Sequence, residues 1–174
     1  MEYEYYSNGV LNYKRRWRDN KPYGDVFWFL KNGKLSSYAV DDITGKRFTL
    51  YSYDKNGQID KMIGFVFSFN IFSVNYKTDS IVVLNYGPKQ LNNKFHDIGD
   101  LYITTATPPG LTLKLEVEIN NQVFDNLKAI DNTVRIPNAF PAKGRYSIFI
   151  SSHLLDNNSQ VINGINEKTT IENY

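Results

Sequence analysis

One short sequence pattern recurs three times within the first sixty residues, at an interval of 24 residues. Each copy contains Asn-Gly with an aliphatic residue two positions after the Gly, and an aromatic residue lies three positions before the Asn. The copies occupy residues 7–11, 31–35 and 55–59, and Tyr5, Phe29 and Tyr53 are the aromatic residues. Asn-Gly between extended flanks favours a two-residue type I′ turn, because both central residues then have positive φ. The repeat therefore predicts three stacked β-hairpins.

The length of a hairpin loop determines which residues face one another across the two strands. For two-residue loops at Asn8-Gly9 and Asn32-Gly33 we expect four pairs: Tyr6 with Leu11, Glu4 with Tyr13, Leu30 with Leu35, and Trp28 with Ser37. One face of the sheet is then largely apolar. The opposite face, which we call the tyrosine face, carries Tyr3, Tyr5, Phe27, Phe29, Tyr38, Tyr51 and Tyr53.

The tyrosine face has two interpretations. It either packs against the Phe-rich strand that the alternation of Phe65, Phe67 and Phe69 predicts as the end of the meander, or it is an exposed surface that recognises a protein or a glycan. Tyr alternates with polar residues along these strands, which is more typical of a contact surface than of a dry core. We therefore predict the seven residues of the tyrosine face as binding residues.

The densest run of charge is Lys14-Arg15-Arg16-Trp17-Arg18. Alternation along a strand places Lys14, Arg16 and Arg18 on one face and Arg15 and Trp17 on the other. We interpret the run as a charged edge strand, a device that prevents unwanted strand pairing. Contact with a protein partner is the alternative, and for that reason Arg16, Trp17 and Arg18 join the predicted binding residues.

The second half of the chain has the pattern of a β-sandwich. Residues 111–119 alternate strictly between apolar and polar side chains, which predicts a half-buried strand. Further strands are expected over residues 80–86, 99–107, 134–136, 146–151 and 168–173. Short strands separated by turn residues predict an immunoglobulin-like sandwich, and Tyr146 occupies the place of a corner tyrosine.

The aromatic residues are concentrated in residues 1–76, which hold 18 of the 26. No segment shows helical periodicity. We therefore predict an all-β protein with two domains, an antiparallel β-hairpin repeat meander over residues 1–76 and an immunoglobulin-like β-sandwich over residues 77–174.

The three aromatic-x-x-Asn-Gly-x-aliphatic segments resemble the variant MORN-type repeats of bacterial YwqK-like proteins, over about residues 3–65. This resemblance implies a β-meander that binds partners and has no catalytic centre. Proteins of that kind are often labelled antitoxin components. The strands at residues 110–115, 132–136, 144–150 and 169–171 resemble the immunoglobulin-like modules of bacterial envelope and surface proteins.

Composition excludes several classes of function. The net charge of +2, from 20 basic and 18 acidic residues, does not favour nucleic-acid binding. The absence of Cys excludes disulfides, thiolate zinc sites and cysteine nucleophiles. No apolar run approaches the roughly 18 residues of a membrane span. The first residues do not resemble a leader peptide; we expect that one has been removed and that the protein is extracytoplasmic, with a cytoplasmic location as the alternative.

Candidate catalytic groups are few. His96 and His153 are the two histidines, and they lie in separate predicted connections, so we expect no metal site. Glu116 and Glu118 alternate with apolar residues and should face solvent, while Asp41-Asp42 is typical of a turn. Neither a Gly-x-Ser-x-Gly motif nor a P-loop occurs. The sequence thus predicts a protein without enzymatic activity and without a cofactor.

These observations and the resemblance lead to one expected function and two alternatives. We expect a protein-binding module or accessory subunit of a bacterial cell-envelope assembly, whose partner is another protein. The alternatives are a carbohydrate-binding surface module, whose ligand is a glycan, and an antitoxin or immunity-type protein.

Overall fold

A computed structural model describes residues 1–42, 44–75, 80–86, 94–95, 99–142 and 144–173. Over these residues the chain is all-β, as predicted, and contains fifteen strands. Its contacts divide it into a first unit, Met1–Phe65, and a second unit, Val66–Tyr174. The division lies upstream of the predicted boundary between residues 76 and 77.

The first unit is a single antiparallel sheet in which the strands follow one another in chain order, as expected for a repeat meander. Its strands are β1 (Glu2–Tyr5), β2 (Leu11–Arg18), β3 (Lys21–Phe29), β4 (Leu35–Asp41), β5 (Arg47–Tyr53) and β6 (Ile59–Gly64). β1 and β6 are the edges of this sheet.

The three Asn-Gly loops contain three residues, so the predicted two-residue type I′ turn is wrong. In the first loop the Gly9 N–H donates to the Tyr6 carbonyl and the Tyr6 N–H donates to the Val10 carbonyl, at 2.9 and 2.8 Å. Gly9 has a φ of 80°, whereas Asn8 does not have positive φ. This is the type I turn with a glycine bulge that three-residue hairpins adopt. The loops around Gly33 and Gly57 repeat it.

The extra residue of each loop shifts the nearest cross-strand pairs. Tyr5 pairs with Leu11, and Phe29 pairs with Leu35, so the expected partners Tyr6 and Leu30 are wrong. The pairs beyond the bulges are confirmed: Glu4 with Tyr13, and Trp28 with Ser37. A type I′ turn occurs elsewhere, at Asp19-Asn20, where both residues have positive φ and link β2 to β3.

Consecutive Asn-Gly loops contact each other. The Asn8 side-chain amide donates to the Lys31 carbonyl at 3.2 Å, and the Lys34 ammonium donates to the Lys55 carbonyl at 3.1 Å. The hydroxyl of Tyr6 donates to the Phe29 carbonyl at 2.8 Å. Because each bond joins one repeat to the next, the 24-residue spacing produces a stack of loops along one end of the sheet.

The second unit contains two sheets. Its strands are β7 (Phe67–Asn75), β8 (Ser80–Tyr86), β9 (Lys94–Phe95), β10 (Gly99–Thr105), β11 (Thr112–Ile119), β12 (Gln122–Phe124), β13 (Thr133–Phe140), β14 (Gly144–Leu155) and β15 (Val161–Asn173). One sheet has the order β13-β10-β7-β8, and the other has the order β12-β11-β14-β15-β9. β9 runs parallel to β15, and the other pairs are antiparallel. β7 belongs here, so the prediction that the Phe-rich strand ends the meander is wrong.

Side chains from both sheets of the second unit form one apolar core, as in an immunoglobulin-like sandwich. Leu101 and Ile103 of β10 meet Val117 of β11 and Ile148 and Ile150 of β14 in this core. On β11 the predicted alternation is confirmed, because its aliphatic residues are inward and its polar residues are outward.

The predicted corner tyrosine is also confirmed. The Tyr146 hydroxyl donates to the Ala142 carbonyl at 2.8 Å and accepts from the Ala142 N–H at 3.1 Å. This contact four residues upstream joins the start of β14 to the connection that precedes it.

Candidate binding site

The tyrosine face has a buried centre. Phe27, Tyr38 and Tyr51 are cross-strand neighbours on β3, β4 and β5, with ring centroids 5.2 and 6.0 Å apart. Tyr38 and Tyr51 are each only 1% exposed. The Tyr38 hydroxyl donates to Asp25 Oδ1 at 2.7 Å. These two tyrosines are therefore buried, and a partner cannot contact their rings.

The accessible part of the tyrosine face lies at edge strand β1. Tyr3 is 51% exposed and Tyr5 is 60% exposed. Phe29 and Tyr53 are half-buried, and Phe29 stacks on Phe27 with centroids 6.4 Å apart. Tyr3 and Tyr5 are therefore the members of the face that a macromolecular partner can contact most fully.

The basic run lies on β2, and its side chains alternate between the two faces as predicted. Lys14 pairs with Phe27 and places its ammonium 4.1 Å from the centroid of that ring. Arg15 pairs with Val26 instead and so lies on the opposite face of the sheet. Trp17 donates its indole N–H to Glu2 at 2.8 Å. β2 lies between β1 and β3, so our interpretation of the run as an edge strand is wrong.

The other two predicted binding residues of this run are spread along β2. The Arg18 guanidinium lies 5.4 Å from the ring of Tyr23, and Arg18 is exposed. Arg16 is half-buried. The run therefore does not form a single basic patch.

The opposite face of the first unit holds an ionic cluster that the sequence analysis missed. Asp41 is 1% exposed, and its carboxylate accepts hydrogen bonds from two guanidinium groups. Arg15 Nη2 donates to Oδ2 at 3.0 Å, and Arg47 Nε donates to Oδ1 at 3.0 Å. Hydrogen bonds from Arg15 Nε and Arg47 Nη2 to Oδ2, each at 3.3 Å, complete the set. One carboxylate thus links β2, β4 and β5.

Asp41 stabilises the charged form of Arg15. Burial acts to lower the pKa of Arg15, but the hydrogen bond and the charge of Asp41 outweigh it and raise the pKa above its ordinary value. Removal of the carboxylate would leave two cations with their central counter-charge missing. We therefore assign Asp41 a structural role that also fixes the positions of both guanidinium groups.

Aromatic rings lie beside the cluster. Trp28 and Tyr13 are cross-strand partners with ring centroids 5.6 Å apart, and the Arg47 guanidinium carbon lies 4.9 Å from the Trp28 ring. Two adjoining depressions of about 400 and 360 Å³ share Asn12, Trp28 and Arg47 in their walls. We call the smaller one the arginine–tryptophan groove; it is lined by Glu4, Asn12, Tyr13, Arg15, Trp28 and Arg47.

A sequence signal for this cluster exists in the loop before β5. The Gly45 N–H donates to the Asp42 carbonyl, and the Asp42 N–H donates to the Lys46 carbonyl, which is the three-residue geometry of the Asn-Gly loops. A loop of that length makes Asp41 and Arg47 cross-strand partners. Had the loop been identified as a fourth copy of this geometry, that ion pair could have been predicted.

Asp41 with Asp42 and Glu116 with Glu118 were the carboxylate pairs considered for acid–base catalysis. Asp41 and Asp42 make separate contacts, Asp41 with two arginines and Asp42 within a turn. Asp42 Oδ1 accepts from the Thr44 N–H at 2.9 Å and from the Thr44 hydroxyl at 2.6 Å, which is typical of a turn residue. Glu116 and Glu118 are half-buried on the outward side of β11.

Of the two histidines, His153 is the one that lies among the described residues. His153 is half-buried on β14, with its ring against Gly164 of β15. His96 lies outside the described residues. In the described part of the chain, no group of three or more potential metal ligands occurs. The same residues include no helix that is long and apolar enough to cross a membrane.

Comparisons with protein-family models, with curated proteins and with solved structures yield no match to this chain. The resemblance to MORN-type repeats therefore remains a prediction from the three loop segments, and functional arguments depend on the geometry of the two faces of the first unit.

Proposed function

We propose that the protein is a non-enzymatic protein-binding module or accessory subunit of a bacterial cell-envelope assembly, placed outside the cytoplasm, and that its first unit makes the contact. The observation that supports this most is the edge strand β1. All four of its residues are exposed, and two of them, Tyr3 and Tyr5, present large aromatic side chains.

The chemistry of β1 fits recognition of a protein. Tyr supplies a large contact area with few rotatable bonds, so little conformational entropy is lost on binding. An edge strand also offers unpaired backbone N–H and C=O groups, to which an extended segment of a partner can add as a further strand. Glu2 and Glu4 lie on the other side of β1 and discourage uncontrolled pairing with copies of the same chain.

Affinity capture from a detergent extract of the cells that encode the protein tests this proposal. The bait is compared with a Tyr3→Ser/Tyr5→Ser double variant and with a Val161→Ser/Ile162→Ser control, whose residues are exposed on the second unit. We expect the wild type and the control to retain the same protein at the same ratio of partner to bait, and we expect the tyrosine variant to lose it. Equal recovery by the tyrosine variant, or no retained protein at all, would contradict the proposal.

A carbohydrate-binding surface module is a second candidate function, favoured by the arginine–tryptophan groove. Half-buried Trp28 and Tyr13 adjoin hydrogen-bonding side chains, an arrangement that suits a ligand with an apolar face and polar edges. The groove and the tyrosine face lie on opposite sides of the sheet, so the two candidate functions are compatible.

A further inference from the structure

The arginine–tryptophan groove combines two fixed cations with an aromatic wall. Arg15 and Arg47 each direct two N–H groups to Asp41. A guanidinium has five N–H donors, so each arginine keeps donors that Asp41 does not engage. Their side chains are 21% and 36% exposed, and both arginines line the groove. The salt bridges hold these cations in place before any ligand arrives.

The charge of the groove limits which ligands it can accept. The cluster of two guanidinium groups and the Asp41 carboxylate carries one positive charge, and Glu4 makes the groove neutral as a whole. Glu4 stands in the wall and accepts a hydrogen bond from Asn12 at 3.1 Å. A polyanion such as nucleic acid would be repelled by this carboxylate, whereas a ligand with a single carboxylate balances the cluster and leaves Glu4 to accept hydrogen bonds from hydroxyl groups.

The aromatic wall completes the recognition chemistry. The indole of Trp28 provides an apolar plane beside the guanidinium of Arg47. The C–H face of a sugar ring can pack on such a plane, while its hydroxyl groups bond to amide and carboxylate side chains at the rim. Asn12 and Glu4 lie in the groove wall, where they can form hydrogen bonds with the hydroxyl groups.

We propose that the arginine–tryptophan groove binds a saccharide that carries a carboxylate, a uronic acid unit. The carboxylate lies on Arg15 and Arg47, the ring lies on Trp28, and the hydroxyl groups lie on Asn12 and Glu4. This inference rests on the second candidate function and is independent of the protein-binding role of the tyrosine face.

Trp28 makes the proposal directly measurable, because the chain contains two Trp residues and only Trp28 lines the groove. The indole N–H signals of ¹⁵N-labelled full-length protein are followed during titration with methyl glucuronide, methyl glucoside and inorganic phosphate. A Trp17→Phe variant assigns the two signals. We expect methyl glucuronide to shift the Trp28 signal to saturation with a Kd of about 1 mM. The Trp17 signal should shift less, because Trp17 does not line the groove, although its ring lies 5.2 Å from the Arg15 guanidinium carbon.

The same titration separates the possible failures. We expect methyl glucoside and phosphate to bind at least about tenfold more weakly than the glucuronide. Equal binding of glucoside and glucuronide would overturn the acidic ligand but keep the carbohydrate-binding function. If neither sugar shifts the signal, the acidic ligand and the carbohydrate-binding function are both overturned. If phosphate binds as tightly as methyl glucuronide, the groove is a general anion site, and the saccharide proposal is overturned.

Variants test the role assigned to arginine. We expect Arg47→Gln to weaken glucuronide binding about tenfold or more, and Arg145→Gln, an exposed cation of the second unit, to leave it unchanged. Should Arg47→Gln lose the dispersed spectrum of the folded protein, Arg47→Lys replaces it, because Lys keeps the charge but not the bidentate geometry. Wild-type affinity in the folded Arg47 variant would overturn the proposal.

Discussion

The interiors of the two units differ in chemistry. The second unit buries mainly aliphatic side chains from two sheets, together with Phe67, Phe140 and Tyr146. Its described buried polar residues are hydroxyl-bearing: Thr104, Thr105, Ser152 and Thr169. The first unit has one sheet, and it buries tyrosines together with Asp41 and Asp42, the two buried carboxylates among the described residues.

This difference leads us to expect different roles for the two units. Aliphatic packing between two sheets gives stability without convergent polar groups. A repeat meander instead joins its strands with large rings and a shared carboxylate, and the two arginines that pair with this carboxylate are 21% and 36% exposed. We therefore expect the first unit to bind the ligand or partner, and we expect packing in the second unit mainly to stabilise the fold.

The largest effect should follow from a cavity in the sandwich. Ile150 is 1% exposed in the core of the second unit, and we expect Ile150→Ala to lower the free energy of unfolding by about 4 kcal/mol. Chemical denaturation followed by far-ultraviolet circular dichroism measures this. Ile130→Ala, at an exposed position of the same unit, is the control and should change it by less than about 0.5 kcal/mol. A similar small change for Ile150→Ala would refute an aliphatic core.

In the first unit the largest effect should come from a charge. We expect Asp41→Ala to destabilise the first unit by about 3 kcal/mol, because two partly buried guanidinium groups lose their common counter-charge. Tryptophan fluorescence during denaturation reports this change, since both Trp residues lie in the first unit. Asp60→Ala, at an exposed position of β6, serves as control. Equal stability of the two variants would show that the cluster does not hold the sheet together.

The buried tyrosines should make the stability of the first unit sensitive to alkaline pH. Burial raises the pKa of Tyr51 from 10.0 to about 12, against a smaller opposite effect of the Thr49 hydroxyl, and it raises the pKa of Tyr53 to about 12. The folded state thus retains these protons to a higher pH than the unfolded chain. Their contribution to the free energy of unfolding is fully present below pH 10 and is lost as the pH rises from about 10 towards 12. For Tyr51 the loss is about 2 kcal/mol.

Substitution isolates that contribution. Among the described side chains, no partner satisfies the Tyr51 hydroxyl in hydrogen-bond geometry, so Tyr51→Phe should be neutral or stabilising at pH 7 and should flatten the alkaline loss. Tyr3→Phe, which changes an exposed ring, should keep the full loss. The measurement is the unfolding free energy from tryptophan fluorescence at pH 7, 10 and 11.5. An unchanged slope in Tyr51→Phe would refute the assignment.

A smaller effect is expected at the corner tyrosine of the sandwich. Tyr146→Phe removes both hydrogen bonds to Ala142 but keeps the ring packed against Phe140. We expect a loss of about 1 kcal/mol in unfolding free energy, measured by circular dichroism. The exposed Tyr5→Phe is the reference, and a loss no greater than in that variant would mean that the corner contact adds nothing.

What the sequence predicted depended on the range of the interactions involved. The 24-residue repeat and the corner Tyr146 are local patterns, and both are found in the structure. The turn type was missed because Asn-Gly fits a two-residue loop as well as a three-residue loop. β7 was misplaced because an alternating strand fits either sheet, and its pairing with β10 spans a long stretch of chain.

Apart from the Asp41–Arg47 pair, which the loop before β5 indicates, the Asp41 cluster needed more information than a local pattern holds. It brings together Arg15, Asp41 and Arg47 from three strands, so its prediction requires the register of every hairpin between them. The sequence interpretation of Asp41-Asp42 as a turn was correct for Asp42 and wrong for Asp41, which is the last residue of β4. A single bulge misjudged in the intervening loops changes which of these residues meet.

Site-specific photo-crosslinking in the native cells tests the division between the two units most directly. A benzophenone amino acid replaces Tyr5 in one variant and Ile130 in another, since both positions are exposed and lie in different units. We predict a single major adduct with another protein at position 5 and none at position 130. An adduct at position 130 alone, or the same adduct at both positions, would contradict the claim that the first unit makes the contact.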